Sequence, residues 1–250
     1  MVRINKYLAQ SNVGSRRDVE KHILNGEVKV NGKVCKDLSR QIDEENDEVM
    51  FHGKHVKPKN EIIYLMLNKP KNYLVTAKDD FERKTVFDLL PDFNVHLFSV
   101  GRLDYMSTGL LIMTSDGDFA NKIIHPKNKL PKVYRIKAKG ILTEEQIKKL
   151  YNIKTIEGKP ISRPIVKVKE KNDNSTILRM TIFEGRKRQI RQMIRIIGSE
   201  VLELKRTQIG NLKLDKLPIG MWRFLKPNEI LNLIRYKRGN NENRTDRTAE

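Results

Sequence analysis

Gly101-Arg-Leu-Asp-Tyr-Met-Ser-Thr-Gly-Leu-Leu-Ile-Met-Thr-Ser-Asp-Gly117 sets one carboxylate, Asp104, beside an arginine at the end of an apolar run. Leu97 to Val100 lead in as a short buried strand, polar residues turn the chain, and Gly109 to Met113 read as a second buried strand. Asp104 is thereby placed at a strand end or in a loop between rigid elements, where catalytic groups concentrate. Taken alone, an aspartate there also caps a turn. The remainder of the chain has to decide between the two.

The chain has 250 residues and a formal net charge of +19, which calls for an anionic partner, nucleic acid before any other. No apolar stretch approaches the length of a bilayer span and no signal peptide precedes Ile4, so a membrane is not expected. The single Cys35 excludes an internal disulfide and fits a reducing compartment, so a cytoplasmic protein is expected.

Residues 1–50 read as a small module of their own. Ile4, Leu8 and Ala9 share a helical face, Gly14 breaks that helix, and Ser15 with Asp18 three positions later opens a second. Val19, Ile23 and Leu24 then face inward while Arg16, Arg17 and Lys21 face out. After Gly26 the period changes to two, with Val28 and Val30 before Asn31-Gly32 and Val34 after it, a strong hairpin signal. Two short basic helices feeding a hairpin resemble the S4 RNA-binding module over Arg3 to Lys36. That resemblance implies a basic face laid on structured RNA and nominates Arg3, Lys6, Arg16, Arg17, Lys21 and Lys29.

Residues 51–61, polar and without periodicity, are expected to be a linker. From Ile62 to Leu67 a buried strand begins a larger domain over 62–235, followed by a basic turn at Lys69-Pro70-Lys71-Asn72. Helices are expected at Thr85 to Leu90, Asp118 to Ile124, Thr143 to Tyr151 and Arg186 to Ile197, the last stopped by Gly198. Strands are expected at Val133 to Ala138 and Ser175 to Phe183. Strands and helices mix without a regular alternation, which argues for an α+β fold on a mainly antiparallel sheet. The basic tail, 236–250, is polar throughout and is expected to be disordered.

Several chemistries lack their parts. There is no Gly-rich phosphate loop and no dinucleotide fingerprint, so no cofactor is expected. His52 and His55 are three apart but stand in the expected linker, whose stretch from His52 to Asn60 holds no matching cysteine or carboxylate, so no metal is expected either. What remains is the set Gly101-Arg-Leu-Asp104, Lys132-Val-Tyr134 and Glu184-Gly-Arg-Lys-Arg-Gln-Ile-Arg-Gln-Met193. In order and spacing these blocks resemble the signatures of the RsuA/RluB branch of pseudouridine synthases, which act on ribosomal RNA. The likeness runs from about Ile62 to Leu233, and with the S4-like module it covers nearly the whole chain.

The resemblance implies that Asp104 is the essential aspartate, as a nucleophile on sugar or base or as a base at the ribose. It implies that Arg191 is the counter-ion such a carboxylate needs in a site closed to water. Tyr134 is implied to stack the uracil of a flipped nucleotide, Arg102 to fill the gap in the RNA, and Leu204 to wall the uracil pocket. Lys69, Lys71 and Arg186 are assigned to phosphates or to shaping the site, and Arg188 to RNA binding. His125-Pro126 after Asp118-Phe-Ala-Asn121 looks closer to the large-subunit enzymes. Ribosomal RNA is the expected partner, naked or in a precursor particle, and the chain is expected to act as a monomer. Two other readings stand beside this one: a non-enzymatic RNA-binding or ribosome-assembly factor on the same scaffold, and a DNA-binding protein, for which the basic helices are too short and too embedded.

Overall fold

The computed structural model describes residues 1–59 and 61–236. The chain forms two compact units, one of Met1–Ile63 with Pro91–Phe98, the other of Tyr64–Leu90 with Ser99–Glu250. The expectation for the basic tail lies, beyond Tyr236, outside the described residues.

In the first unit, Ser15 caps the helix Arg16–Leu24 by accepting from the Asp18 amide, as the Ser15 to Asp18 spacing predicts. The preceding helix, Ile4–Gln10, stops earlier than Gly14 implies, because Asn12 takes a left-handed conformation at φ 62°. Val28–Val30 pairs with Lys33–Val34 through Asn31 and Gly32, both at positive φ, the backbone that a two-residue hairpin turn of this hand requires. Ile4, Tyr7, Leu8, Val19 and Ile23 close on Val28, Val30, Ile42 and Val49, all buried. Each such aliphatic side chain contributes roughly 1.5 to 3 kcal/mol by leaving water.

The expected linker is a correction. Val49–Phe51 pairs with Lys54–His55 through His52 and Gly53, again both at positive φ, so a second hairpin occupies its first half. The Tyr7 hydroxyl donates to the Val56 carbonyl at 3.0 Å and the Lys59 amide to that of Gln10 at 3.1 Å, which binds the chain beyond it to the first unit as well. The second strand of this hairpin is two residues long, too short for alternation to be read.

The second unit is α+β, built on a sheet in the order Ile165–Asn172, Ser175–Ile182, Lys132–Lys139, Val201–Ile209, Thr108–Thr114, Tyr64–Lys69 and Trp222–Phe224. Along that order the pairings are antiparallel except that of Val201–Ile209 with Thr108–Thr114, which is parallel and places Arg206 beside Gly109. The Tyr64–Lys69 strand starts later than expected, Ile62 being exposed, and runs through Lys69. Glu144–Asn152 opens on the Thr143 and Gln146 capping box, and Asp116 caps Gly117–Ile124.

The basic helix is shorter than its sequence suggests. Gln189–Ile196 begins after Arg188, which is left-handed at φ 52°, and the Gln189 side chain accepts from the Arg186 amide at 3.1 Å. That bond and the left-handed residue end the helical path, so Arg186 and Arg188 belong to the loop before it. Ile190, Met193, Ile194 and Ile197 form its buried face, as expected, and leave Arg191 on another.

Candidate active site

Four segments of the second unit bring the sequence-nominated residues together. Leu103, buried, anchors the loop between Val100 and Thr108, and the Ser107 amide closes a turn onto the Asp104 carbonyl at 2.9 Å. The Asp104 side chain keeps 40% of its surface exposed. Arg191 of the helix Gln189–Ile196 points its Nε at Asp104 Oδ2 from 3.9 Å, and its Nη1 donates to the Val201 carbonyl at 3.3 Å. Burial pushes the Arg191 pKa down and the Asp104 charge opposes it. The pair is an ion pair with room between its members, reachable from solvent on the Asp104 side.

Of the two roles expected of Lys69, its surroundings fit shaping the site and not a phosphate contact. Its side chain is fully buried, and its ammonium donates to the carbonyls of Pro70 at 2.9 Å, Tyr105 at 3.3 Å and Ser107 at 2.9 Å. An amine enclosed in this way does not reach a phosphate; it braces the Asp104 loop from below. Burial lowers its pKa to about 8, with Asp104 pulling the other way. The Asn72 amide adds a bond to the Tyr105 carbonyl at 3.0 Å, while Lys71 is exposed.

Tyr134 stands on Lys132–Lys139 opposite Arg206 on one side and Met180 on the other, and only 7% of it is exposed. Ile136 is likewise opposite Leu204, which is buried and whose carbonyl accepts from the Thr108 hydroxyl at 3.4 Å. Burial lowers the Lys132 pKa to about 8, helped by Arg206 and opposed by Glu184. Arg186 is partly buried; it donates to the Pro160 carbonyl while its Nε has no partner among the described residues. Arg102 and Arg188 are exposed.

Arg206 was not singled out by the sequence. It is buried, its Nε donates to the Leu110 carbonyl at 2.7 Å, and one Nη is buried without a partner among the described residues. A guanidinium with an unused donor beside Tyr134 is costly to bury and is a hydrogen-bonding group held ready for an acceptor. In the first unit, Arg3, Arg16, Arg17, Lys21 and Lys29 are exposed and Lys6 is partly buried.

A sheet that presents a buried tyrosine and arginine, a loop that presents one aspartate, and a helix arginine facing it define a class when the chain is set beside known proteins. Residues 63–195 match the family model of RNA pseudouridylate synthases, and residues 2–49 match that of the S4 domain. A ribosomal large subunit pseudouridine synthase B from Bacillus subtilis is 40% identical over 93% of this chain and 96% of its own length. A dual-specificity RNA pseudouridine synthase from Escherichia coli is 34% identical over 94% of this chain and 79% of its own. A crystal structure of a pseudouridylate synthase superposes with a TM-score of 0.65 at 30% identity, covering 93% of this chain and all of the other. The chain belongs to the RNA pseudouridine synthases that carry an N-terminal S4 domain. It is an isomerase that acts on RNA, and no described helix is long and apolar enough to cross a membrane.

Proposed function

We propose that this enzyme converts a uridine of ribosomal RNA, in the large subunit, to pseudouridine, with Asp104 as its catalytic carboxylate. The observation that carries the assignment is the pairing of a solvent-reachable Asp104 with Arg191 at 3.9 Å. The large-subunit assignment rests on the likeness to the Bacillus subtilis enzyme and on the His125-Pro126 block.

The reaction breaks the bond from the ribose C1′ to N1 and joins C1′ to C5 of the same base; C5 then gives up its hydrogen as a proton and N1 gains one. A glycosidase divides its work between two carboxylates, one for the leaving group and one for water. An isomerase whose leaving group stays bound needs only one. Asp104 attacks the sugar or the base, or removes a ribose proton, and Arg191 supplies the counter-charge in each case. The uridine leaves its stack at a cost of a few kcal/mol, offset by stacking on Tyr134 and by Arg102 filling the vacancy. Leu204 walls the base, Arg206 offers its spare donor to a base carbonyl, and Arg186 and Lys69 hold the loops that carry the site. Lys71 and Arg188, with Arg3, Lys6, Arg16, Arg17, Lys21 and Lys29 of the S4 unit, meet the phosphates. The enzyme works as a monomer in the cytoplasm.

Release of tritium from ribosomal RNA labelled at uridine C5 tests this. Wild type releases it and Asp104→Ala does not; equal release from both removes Asp104 from the chemistry. Mapping pseudouridines in a deletion strain identifies the subunit, and a missing small-subunit site overturns the large-subunit assignment.

A further inference from the structure

The S4 unit holds a cluster that RNA modification does not use. Their spacing alone assigns His52 and His55 no ligand set, but the fold supplies one to His52. His22, near the end of the helix Arg16–Leu24, and Glu27, which precedes the strand Val28–Val30, both meet His52 at the turn of the second hairpin. His22 Nδ1 is 2.5 Å from Glu27 Oε2, and His52 Nε2 is 3.2 Å from the same oxygen. The three ligating atoms all lie within 4.8 Å of one another. A tetrahedral Zn²⁺ with bonds near 2.0 to 2.1 Å holds its ligand atoms about 3.3 Å apart, so modest side-chain rotations admit the ion.

The main chain fixes these residues to each other independently of their side chains. The Glu27 amide donates to the His22 carbonyl at 3.1 Å, the His52 amide to the Glu27 carbonyl at 3.2 Å, and Val28 pairs with Phe51 in the adjoining ladder. The Phe51 ring packs edge-on to His22 at 4.9 Å and against His52 at 4.1 Å, restricting both imidazoles. Asn25 Nδ2 donates to the second carboxylate oxygen of Glu27 at 3.0 Å, the kind of outer contact that orients a ligating carboxylate.

From this geometry we infer that His22, Glu27 and His52 bind a divalent transition-metal ion, Zn²⁺ by preference, with the fourth position open to water. Two imidazoles and one carboxylate are a donor set suited to Zn²⁺, which imposes no geometry of its own and accepts three protein ligands. The ion ties the helix end, the strand entry and the hairpin turn together, so it stabilises the S4 unit. His55 takes no part, being paired with Glu48 at 3.3 Å, and serves as an internal control.

Calorimetric titration of the chelator-treated full chain with ZnCl₂ at neutral pH decides the matter. One saturable equivalent is expected, weakened about tenfold or more in His22→Ala and in His52→Ala and unchanged in His55→Ala. The ion also raises the melting midpoint of wild type more than that of His52→Ala. His52 is exposed at a turn, so its loss leaves the fold intact and decides the question even if His22→Ala fails to fold. A wild type without a one-to-one step, a step that survives in His52→Ala, or one that His55→Ala abolishes, overturns the site.

Discussion

A β-carbon on Gly109 would stand 2.2 Å from the carbonyl oxygen of Arg206 and 2.8 Å from its amide nitrogen. Gly109 is also at φ 105°, a backbone that side chains with a β-carbon rarely adopt. The parallel pairing of Val201–Ile209 with Thr108–Thr114 thus depends on a missing side chain, and that pairing sets Arg206 next to the Asp104 loop. Gly109→Ala is expected to destabilise the enzyme by roughly 2 to 5 kcal/mol, through strain and displaced backbone together. Urea unfolding measures it; a shift under 1 kcal/mol, taken as about the ordinary point-mutant effect, would show that the two strands separate freely there.

Asp104→Asn keeps the shape of the side chain and removes its charge. Turnover on ribosomal RNA is expected to drop by roughly a thousandfold or more while RNA affinity changes little. Arg191→Lys keeps a cation but loses the planar group that reaches both Asp104 and the Val201 carbonyl, and a loss of about a hundredfold in kcat is expected. Single-turnover rates separate these effects from binding. An Arg191→Lys enzyme with wild-type kcat sinks the pairing argument.

Lys69 gives a pH signature whose sign is fixed by its burial. Its folded pKa of about 8 lies below the ordinary 10.5, so the unfolded chain binds more protons between those values. The Lys69 contribution to stability is therefore lowest below about pH 8 and rises as pH climbs toward 10.5. The difference in melting midpoint between wild type and Lys69→Met is expected to move in favour of wild type across that window. The same substitution removes three bonds from the Asp104 loop and lowers kcat at every pH. A difference that moves against wild type means that the three carbonyls hold Lys69 charged more strongly than burial discharges it.

Tyr134→Phe preserves the ring and Tyr134→Ala removes it. If the ring stacks a flipped base, the alanine variant loses roughly 1 to 3 kcal/mol of affinity for substrate RNA and the phenylalanine variant loses almost none. Because Tyr134 is only 7% exposed, the alanine variant also loses stability by roughly 3 kcal/mol or more, so affinity is compared under conditions where it is folded. Unchanged affinity in the folded alanine variant assigns the ring to the core.

Charge reversal at Arg16 and Arg17 probes the S4 unit without touching the chemistry. Affinity is expected to fall, and the slope of log affinity against log salt to become shallower by roughly 1 to 2. Turnover at saturating RNA stays near wild type. A slope that does not change removes these two residues from the phosphate contacts.

The chain announced its elements more readily than its connections. Asn31-Gly32 betrayed the first hairpin because alternating valines flank it, whereas His52-Gly53 turns the chain in the same way between strands too short to show a period. Asp104 and Arg191 were legible as parts of blocks, and the fold brings them to 3.9 Å. Arg206 left no mark because a single arginine in a run of mixed residues carries no pattern; its burial comes from the neighbours that the parallel pairing gives it. Lys69 looked like a surface cation for the same reason. The helix boundary at Gln189 was hidden because Arg188 takes a left-handed backbone that arginine seldom chooses, and the spacing of the apolar residues says nothing of it.

The first unit draws on two separated stretches, Met1–Ile63 and Pro91–Phe98. Recombination that fused a foreign S4 module at one junction after Ile63 would inherit the later stretch from the wrong parent. A hybrid of this enzyme with a relative therefore needs a matched second segment, because Pro91–Phe98 packs in the first unit although it follows Ile63 by nearly thirty residues.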